Sequence, residues 1–224
     1  MRTPSSSESL KFEIAQRICG SIFTGALTPG QPLRELAVAR ELSVSQAVVR
    51  EALSHLEQMG LVTRIPNKGS SVSHPTFAEI RDRLRIRIAV EQMAMVNCAE
   101  LMTAQDFEKA ETLAMAIEHA VRSGSAADAS KAGYEFHRFL WSLSSSPFLR
   151  RSLEQICAPL FAFHELVKQA TTYSPRGASE HLQILDALRG KNPEVIHAAV
   201  SEHVEQTVQG APVAAVLELV AAMQ

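Results

Sequence analysis

The stretch Glu41-Leu42-Ser43-Val44-Ser45-Gln46-Ala47-Val48-Val49-Arg50-Glu51-Ala52-Leu53-Ser54-His55-Leu56-Glu57-Gln58-Met59-Gly60-Leu61-Val62 constrains the fold more than any other part of the chain. Ser43 to Ser45 spells a tight turn. Ser45 is placed as the N-cap of a following helix, because a serine oxygen accepts from the backbone N–H groups left unpaired at a helix start. Val49, Ala52, Leu53 and Leu56 recur at helical spacing and give that helix one apolar face. Gln46, Ala47, Arg50, Ser54 and Glu57 fall on the opposite side. A short helix, a four-residue turn and a second helix with a polar tip describe a helix-turn-helix. In that motif the first side chains of the second helix reach base edges in the major groove, and here those are Gln46, Ala47 and Arg50.

The flanks complete a small domain. Leu10, Ile14, Ile18 and Ile22 form one stripe of an opening helix that ends near Thr24-Gly25, where glycine can take the left-handed cap. Leu27-Thr28-Pro29-Gly30-Gln31-Pro32 reads as a rigid turn, and a second helix runs from about Arg34 to Leu42. Leu61–Ile65 and Ser70–Ser73 read as two short strands around a Pro66-Asn67-Lys68-Gly69 tip, a β-hairpin wing. Lys68 is placed to reach a phosphate, and Gly69 lets the backbone approach a duplex closely. Arg34 and Ser45 are placed to position the nucleic-acid backbone, and Arg64 lies on an outward-facing strand position.

A net charge of −2 seems to argue against a nucleic-acid partner until the chain is divided. Residues 1–76 carry eight basic residues against six acidic ones (+2), and the remainder carries 14 against 18 (−4). This mild asymmetry suits a domain that grips phosphate locally and excludes broad electrostatic coating. No apolar run approaches the roughly 18 residues a membrane span needs. The leader Met1–Glu8 lacks the apolar core of a signal peptide. Cys19, Cys98 and Cys157 are far apart and form no CxxC pair, so they read as small buried residues in a reducing cytoplasm.

From Pro75 onward helical periodicity takes over. The spacing predicts helices over about Phe77–Leu101, Ala104–Ser123, Ala126–Ser144, Pro147–Thr171, Ser179–Arg189 and Pro193–Gln209. The segment Pro212–Met223 is apolar on most sides and is expected to dock on the domain or on a partner chain. The fold class is therefore mainly α. An N-terminal winged helix-turn-helix (three helices plus a small β-hairpin, residues 1–76) precedes an all-α antiparallel bundle (residues 77–224), a natural place for an internal pocket. His137, His181 and His203 each fall on the inward stripe of a different helix of that bundle. A lone inward histidine is usually a hydrogen-bonded core residue, whereas three from separate helices can converge on a metal or an anion. His164, beside Leu160, Phe161 and Val167, is placed to line the same cavity.

These residues carry a resemblance to a known family. Gly25-x-Leu27-x-Pro29-Gly30-x-x-Leu33-x-Glu35, Val44-Ser45-x-x-x-Val49-Arg50-Glu51-Ala52-Leu53-x-x-Leu56-x-x-x-Gly60-Leu61-Val62 and Asn67-Lys68-Gly69 closely resemble the winged-helix domain of GntR-family bacterial regulators. The family often has Arg, Thr and Pro where this chain has Gln46, Ala47 and Val48; Gln46 retains the capacity to pair with adenine. Arg87-x-x-x-Glu91, Phe136-His137, Glu180-His181-x-x-Ile184-Leu185-x-Ala187-Leu188 and His203 resemble the FadR-type C-terminal (FCD) effector domain. The resemblance implies a metal site of His137, His181 and His203 for zinc or nickel, with a small carboxylate effector at or beside the ion. The aspartate that completes the site in metal-binding members stands four residues before the first histidine, and here that position is Gly133. Without it, the histidines and Arg87 can instead hold an anion directly.

The expectation is a cytoplasmic, homodimeric, effector-responsive DNA-binding regulator, a repressor rather than an enzyme, with a palindromic operator and a small organic acid as effector. Two other readings stay open at this point. One is a metal-dependent hydrolytic enzyme that activates water on the three histidines. The other is a DNA-binding protein that answers to no effector.

Overall fold

The computed structural model describes residues 6–65, 69–163 and 178–209. The expectations for Lys68, for His164 and for the segment 212–223 lie outside these residues. The chain divides into two compact units, Met1–Phe77 and Ala78–Gln224.

The first unit runs α1 (Ser6–Phe23), β1 (Pro32–Leu33), α2 (Glu35–Glu41), α3 (Gln46–Gln58), β2 (Val62–Ile65) and β3 (Gly69–Val72). Ile14, Ile18 and Ile22 of α1 are buried with Val49, Ala52, Leu53 and Leu56 of α3, so both predicted stripes enter one core. The turn between α2 and α3 closes as Val44 N–H donates to the Ala39 carbonyl at 3.0 Å, and Ser43 takes a left-handed φ of 54°. A short polar side chain is among the few besides glycine that adopt this conformation. At the far end of α3, Gly60 has φ 73° while its N–H donates to the Glu57 carbonyl (2.9 Å) and that of Leu61 donates to the Leu56 carbonyl (3.0 Å). That is a Schellman stop, and the following apolar pair Leu61-Val62 is thereby turned into the core.

The wing has one more strand than the sequence predicts. The sheet order is β1-β3-β2, all antiparallel, with Leu33 opposite Ser70 and Val62 opposite Val72. Pro32 was expected to end a turn, yet it sits on the outer strand, where a residue without an N–H breaks no ladder. Leu33 is buried at 4%, and this apolar anchor holds the two-residue strand in place.

The second unit is helical throughout its described residues: α4 (Phe77–Leu101), α5 (Ala104–Arg122), α6 (Ala126–Leu143), α7 (Pro147–Ala162), α8 (Ala178–Gly190) and α9 (Pro193–Gln209). The starts are fixed by side chains. Thr103 and Asp106 form a capping box, Ser125 and Ser146 accept from the third N–H of their helices, and the Asn192 side-chain oxygen accepts from Glu194 N–H (3.0 Å). α7 ends at Ala162 with Phe163 as its C-cap, and the rest of the helix expected to reach Thr171 lies outside the described residues. Fully buried Ala110 and Ala114 on α5 keep that helix close to α6 and leave room for Phe136, Leu140 and Trp141. Leu153 and Cys157 from α7, Ile184, Leu185 and Leu188 from α8, and Val204 from α9 complete the core. Burial pushes the Cys98 thiol up to about 12, consistent with an inert packing role. Among the described residues no helix is long and apolar enough to cross a membrane.

Leu53 is 0% exposed at the centre of the first core. Leu53→Ala is expected to cost about 2–5 kcal/mol, read as an earlier urea transition of the N-terminal unit. A loss below 1 kcal/mol would contradict this packing.

Candidate nucleic-acid interface and histidine pocket

The structure places the predicted reading residues on one open surface. Arg34, Ser45, Ala47, Arg50 and Arg64 are exposed and Gln46 is half-buried. The Ser45 hydroxyl accepts from Val48 N–H at 3.3 Å, so this side chain caps α3 as the sequence predicts. Gly69 opens β3 with a φ of 91°, a value only glycine adopts without strain. Arg64 of the wing reaches α3: its Nη2 donates to the Arg50 carbonyl (3.3 Å) and its Nε lies 3.7 Å from Glu57.

Sequence reasoning assigned no role to Glu35. Its carboxylate accepts from Gln46 Nε2 (2.9 Å), Arg50 Nε (3.1 Å) and Arg50 Nη2 (3.0 Å). The hydrogen bond from Arg50 holds the Glu35 carboxyl below its ordinary range despite partial burial, and the same contact raises the Arg50 guanidinium.

In the second unit the three predicted histidines do converge. His137 from α6, His181 from α8 and His203 from α9 are 1%, 7% and 7% exposed, and one ring nitrogen of each lies within 4.8 Å of the others. Arg87 of α4, predicted either as effector anchor or as the salt-bridge partner of Glu91, stands in both positions. Its Nε donates to Glu91 at 2.7 Å, and its Nη2 donates to His137 Nε2 at 3.2 Å. That second bond makes Nε2 of His137 the acceptor, so the proton sits on Nδ1 and donates to Glu91 (2.8 Å). Trp141 Nε1 donates to the same Glu91 oxygen at 2.9 Å. The Phe161 ring packs beside the cluster, 5.3 Å from the Arg87 guanidinium and 5.8 Å from the His137 ring.

Glu91 is the residue that sequence reasoning undervalued. It is 1% exposed and receives three donors, and a buried carboxylate persists only when so paired. Burial alone would raise its carboxyl; the Arg87 charge and the hydrogen bonds from His137 and Arg87 override that and hold it below the carboxylate range. Burial lowers His137, with Glu91 opposing and the Arg87 charge assisting. Burial lowers His203 further, joined by the other two histidines and Arg87. Burial thus disfavours a charge on His137 and His203, which stand beside the Arg87–Glu91 ion pair. The Arg87-x-x-x-Glu91 spacing was the only sequence signal for this, since i,i+4 residues share a helix face.

The donor set fits a divalent ion in part. Nε2 of His137 and Nε2 of His203 are 3.1 Å apart, close to the roughly 3.3 Å that two nitrogens bound at about 2.0–2.1 Å to a tetrahedral zinc require. The three imidazoles would supply three nitrogen ligands among the described residues. Gly133 supplies nothing, and a Cβ there would lie 3.3 Å from Phe161 Cε1, so an aspartate would require the ring to shift.

A winged helix-turn-helix in one unit and a buried cluster of three histidines beside the Arg87–Glu91 pair in an all-helical second unit are the two parts of a transcription regulator. The model of bacterial regulatory proteins of the GntR family matches residues 10–72, and that of the FCD domain matches residues 82–206. The chain belongs to the GntR family of bacterial transcriptional regulators, in the group that carries an FCD domain. The uncharacterized regulator YdhC of Bacillus subtilis is 25% identical, covering 81% of this chain and 82% of that protein. The transcriptional repressor RspR of Escherichia coli is 23% identical, covering 80% and 79%. The structure of E. coli McbR shares the fold with a TM-score of 0.75 at 22% identity, covering 89% of this chain and 95% of that one. The chain is thus a regulator and not an enzyme, and the hydrolytic reading falls.

Removing Glu91 takes from the buried Arg87 guanidinium the carboxylate it pairs with at 2.7 Å. Glu91→Ala is expected to destabilise the helical unit by about 3–5 kcal/mol, measured by urea unfolding followed through Trp141 emission. A loss under 1 kcal/mol would show that the carboxylate does not hold the pocket together.

Proposed function

We propose that the protein is a cytoplasmic, homodimeric repressor that releases a palindromic operator when a small carboxylate enters the histidine pocket. Residues 1–76 read the duplex, and residues 77–224 bind the effector and pair two chains. One observation carries the effector class. Arg87, 2% exposed, donates to His137, which clusters with His181 and His203. A carboxylate entering there meets a planar donor fork already desolvated, where charge-assisted hydrogen bonds are strongest. Repression is supported by RspR, a relative described as a repressor. Two copies of α3 on a two-fold axis would meet two half-sites of a palindrome. The coupling that such a switch needs is about 1–3 kcal/mol.

A second reading is favoured by the close nitrogens. His137, His181 and His203 would hold a zinc or nickel ion, and the ion when bound would offer its open position to a carboxylate oxygen.

Two measurements test these readings. An effector at 100 times its Kd should add about 2.7 kcal/mol of stability, so small carboxylates are expected to raise the unfolding temperature of the wild type and not of His181→Ala. Carboxylates that neither stabilise the protein nor release DNA would overturn the effector class. Metal analysis of protein purified without chelator or tag metal is expected to find no stoichiometric ion. About one ion per chain, lost in His181→Ala, would select the second reading.

A further inference from the structure

We infer that Glu35 is a specificity-determining positioning residue that locks Gln46 and Arg50 into one reading unit. The inference rests on the DNA-reading role of α3. Glu35 opens α2, outside the recognition helix, yet its carboxylate holds both side chains that α3 presents to a duplex.

The chemistry of the three groups decides what each can still read. An ionised carboxylate only accepts, so the Gln46 amide must turn its nitrogen toward Glu35. This removes the freedom to flip. It leaves Oε1 and the second N–H of Nε2 for a base edge, the acceptor–donor pair that matches adenine N6 and N7. Arg50 gives Glu35 its Nε/Nη2 edge, through bonds of 3.1 and 3.0 Å. The Nη1/Nη2 end of the fork remains for the O6 and N7 acceptors of guanine. Gln46 and Arg50 stand four residues apart on one helix face, so the two bases are close neighbours in the site. Arg50 is also tethered at its carbonyl by Arg64, so backbone and side chain are both oriented before DNA arrives.

Glu35 has a second effect on unspecific binding. Arg50 is 57% exposed and Glu35 22%. Paired with a carboxylate, the arginine offers less net attraction to any passing phosphate. Specific binding then gains from preorganised donors, and non-specific binding loses one cation. Without Glu35, Arg50 becomes a free charge that adds to sequence-independent binding.

The test is selection of full-length protein against a random duplex library, followed by binding of the enriched and a scrambled duplex across a salt series. For the wild type we expect an enriched motif with adenine and guanine at neighbouring positions. Glu35→Gln is expected to lose preference at both positions together, to lower the specific-to-scrambled ratio at least tenfold, and to steepen the salt slope on scrambled DNA by about one ion. Gln46→Ala should lose the adenine and keep the guanine, because Glu35 still holds Arg50. If Glu35→Gln fails to fold by circular dichroism, Glu35→Asp, too short to reach both partners, is read in the same way. An unchanged motif and ratio in either variant would overturn the proposal, as would an equal loss of affinity for enriched and scrambled DNA. A wild type that enriches no motif would instead remove the DNA-reading role on which the inference rests.

Discussion

The second unit depends on a buried carboxylate. Glu91 accepts from Arg87, His137 and Trp141, and each bond has a consequence elsewhere. The Arg87 bond sets a carboxylate against a buried cation. The His137 bond fixes the imidazole tautomer, so Nε2 faces the pocket as an acceptor. The Trp141 bond joins the largest side chain of the core to the same charge. The pocket is therefore built from the core outward and set before any ligand arrives.

The DNA-reading unit repeats this logic near the surface. There a glutamate organises an arginine and a second polar side chain from a neighbouring helix, but in partial contact with solvent. The difference in burial separates the two roles. Glu91 and Arg87 cannot part without a large penalty, so they form a fixed wall. Glu35 and Arg50 are exposed enough for a competing base edge to share the arginine, so they suit recognition.

The fold was legible wherever one physical rule acted alone. The stripes of α1 and α3, the Ser45 cap and the inward faces of His137, His181 and His203 all follow from period and capping chemistry. The third wing strand was not legible, because Pro32-Leu33 is too short for an alternation signal and is set by pairing with Ser70 and Ser71. Glu35 and Glu91 entered only as positions of the two family motifs, since their partners other than Arg87 lie 11 to 50 residues away in sequence. Gly133 was visible as a departure from the metal-binding pattern. The ring of Phe161 over it, 28 positions along the chain, became visible only in three dimensions.

The central claim is that filling the histidine pocket changes the grip on DNA. Trp141, the single tryptophan of the chain, hydrogen-bonds the pocket's own carboxylate, so its emission reports the pocket directly. The most direct measurement follows Trp141 emission and the anisotropy of a labelled, library-selected duplex in one titration with small carboxylates. The account predicts that an acid which changes the emission also releases the duplex, with a common midpoint. An acid that saturates the emission change while the duplex stays bound with unaltered affinity would contradict it.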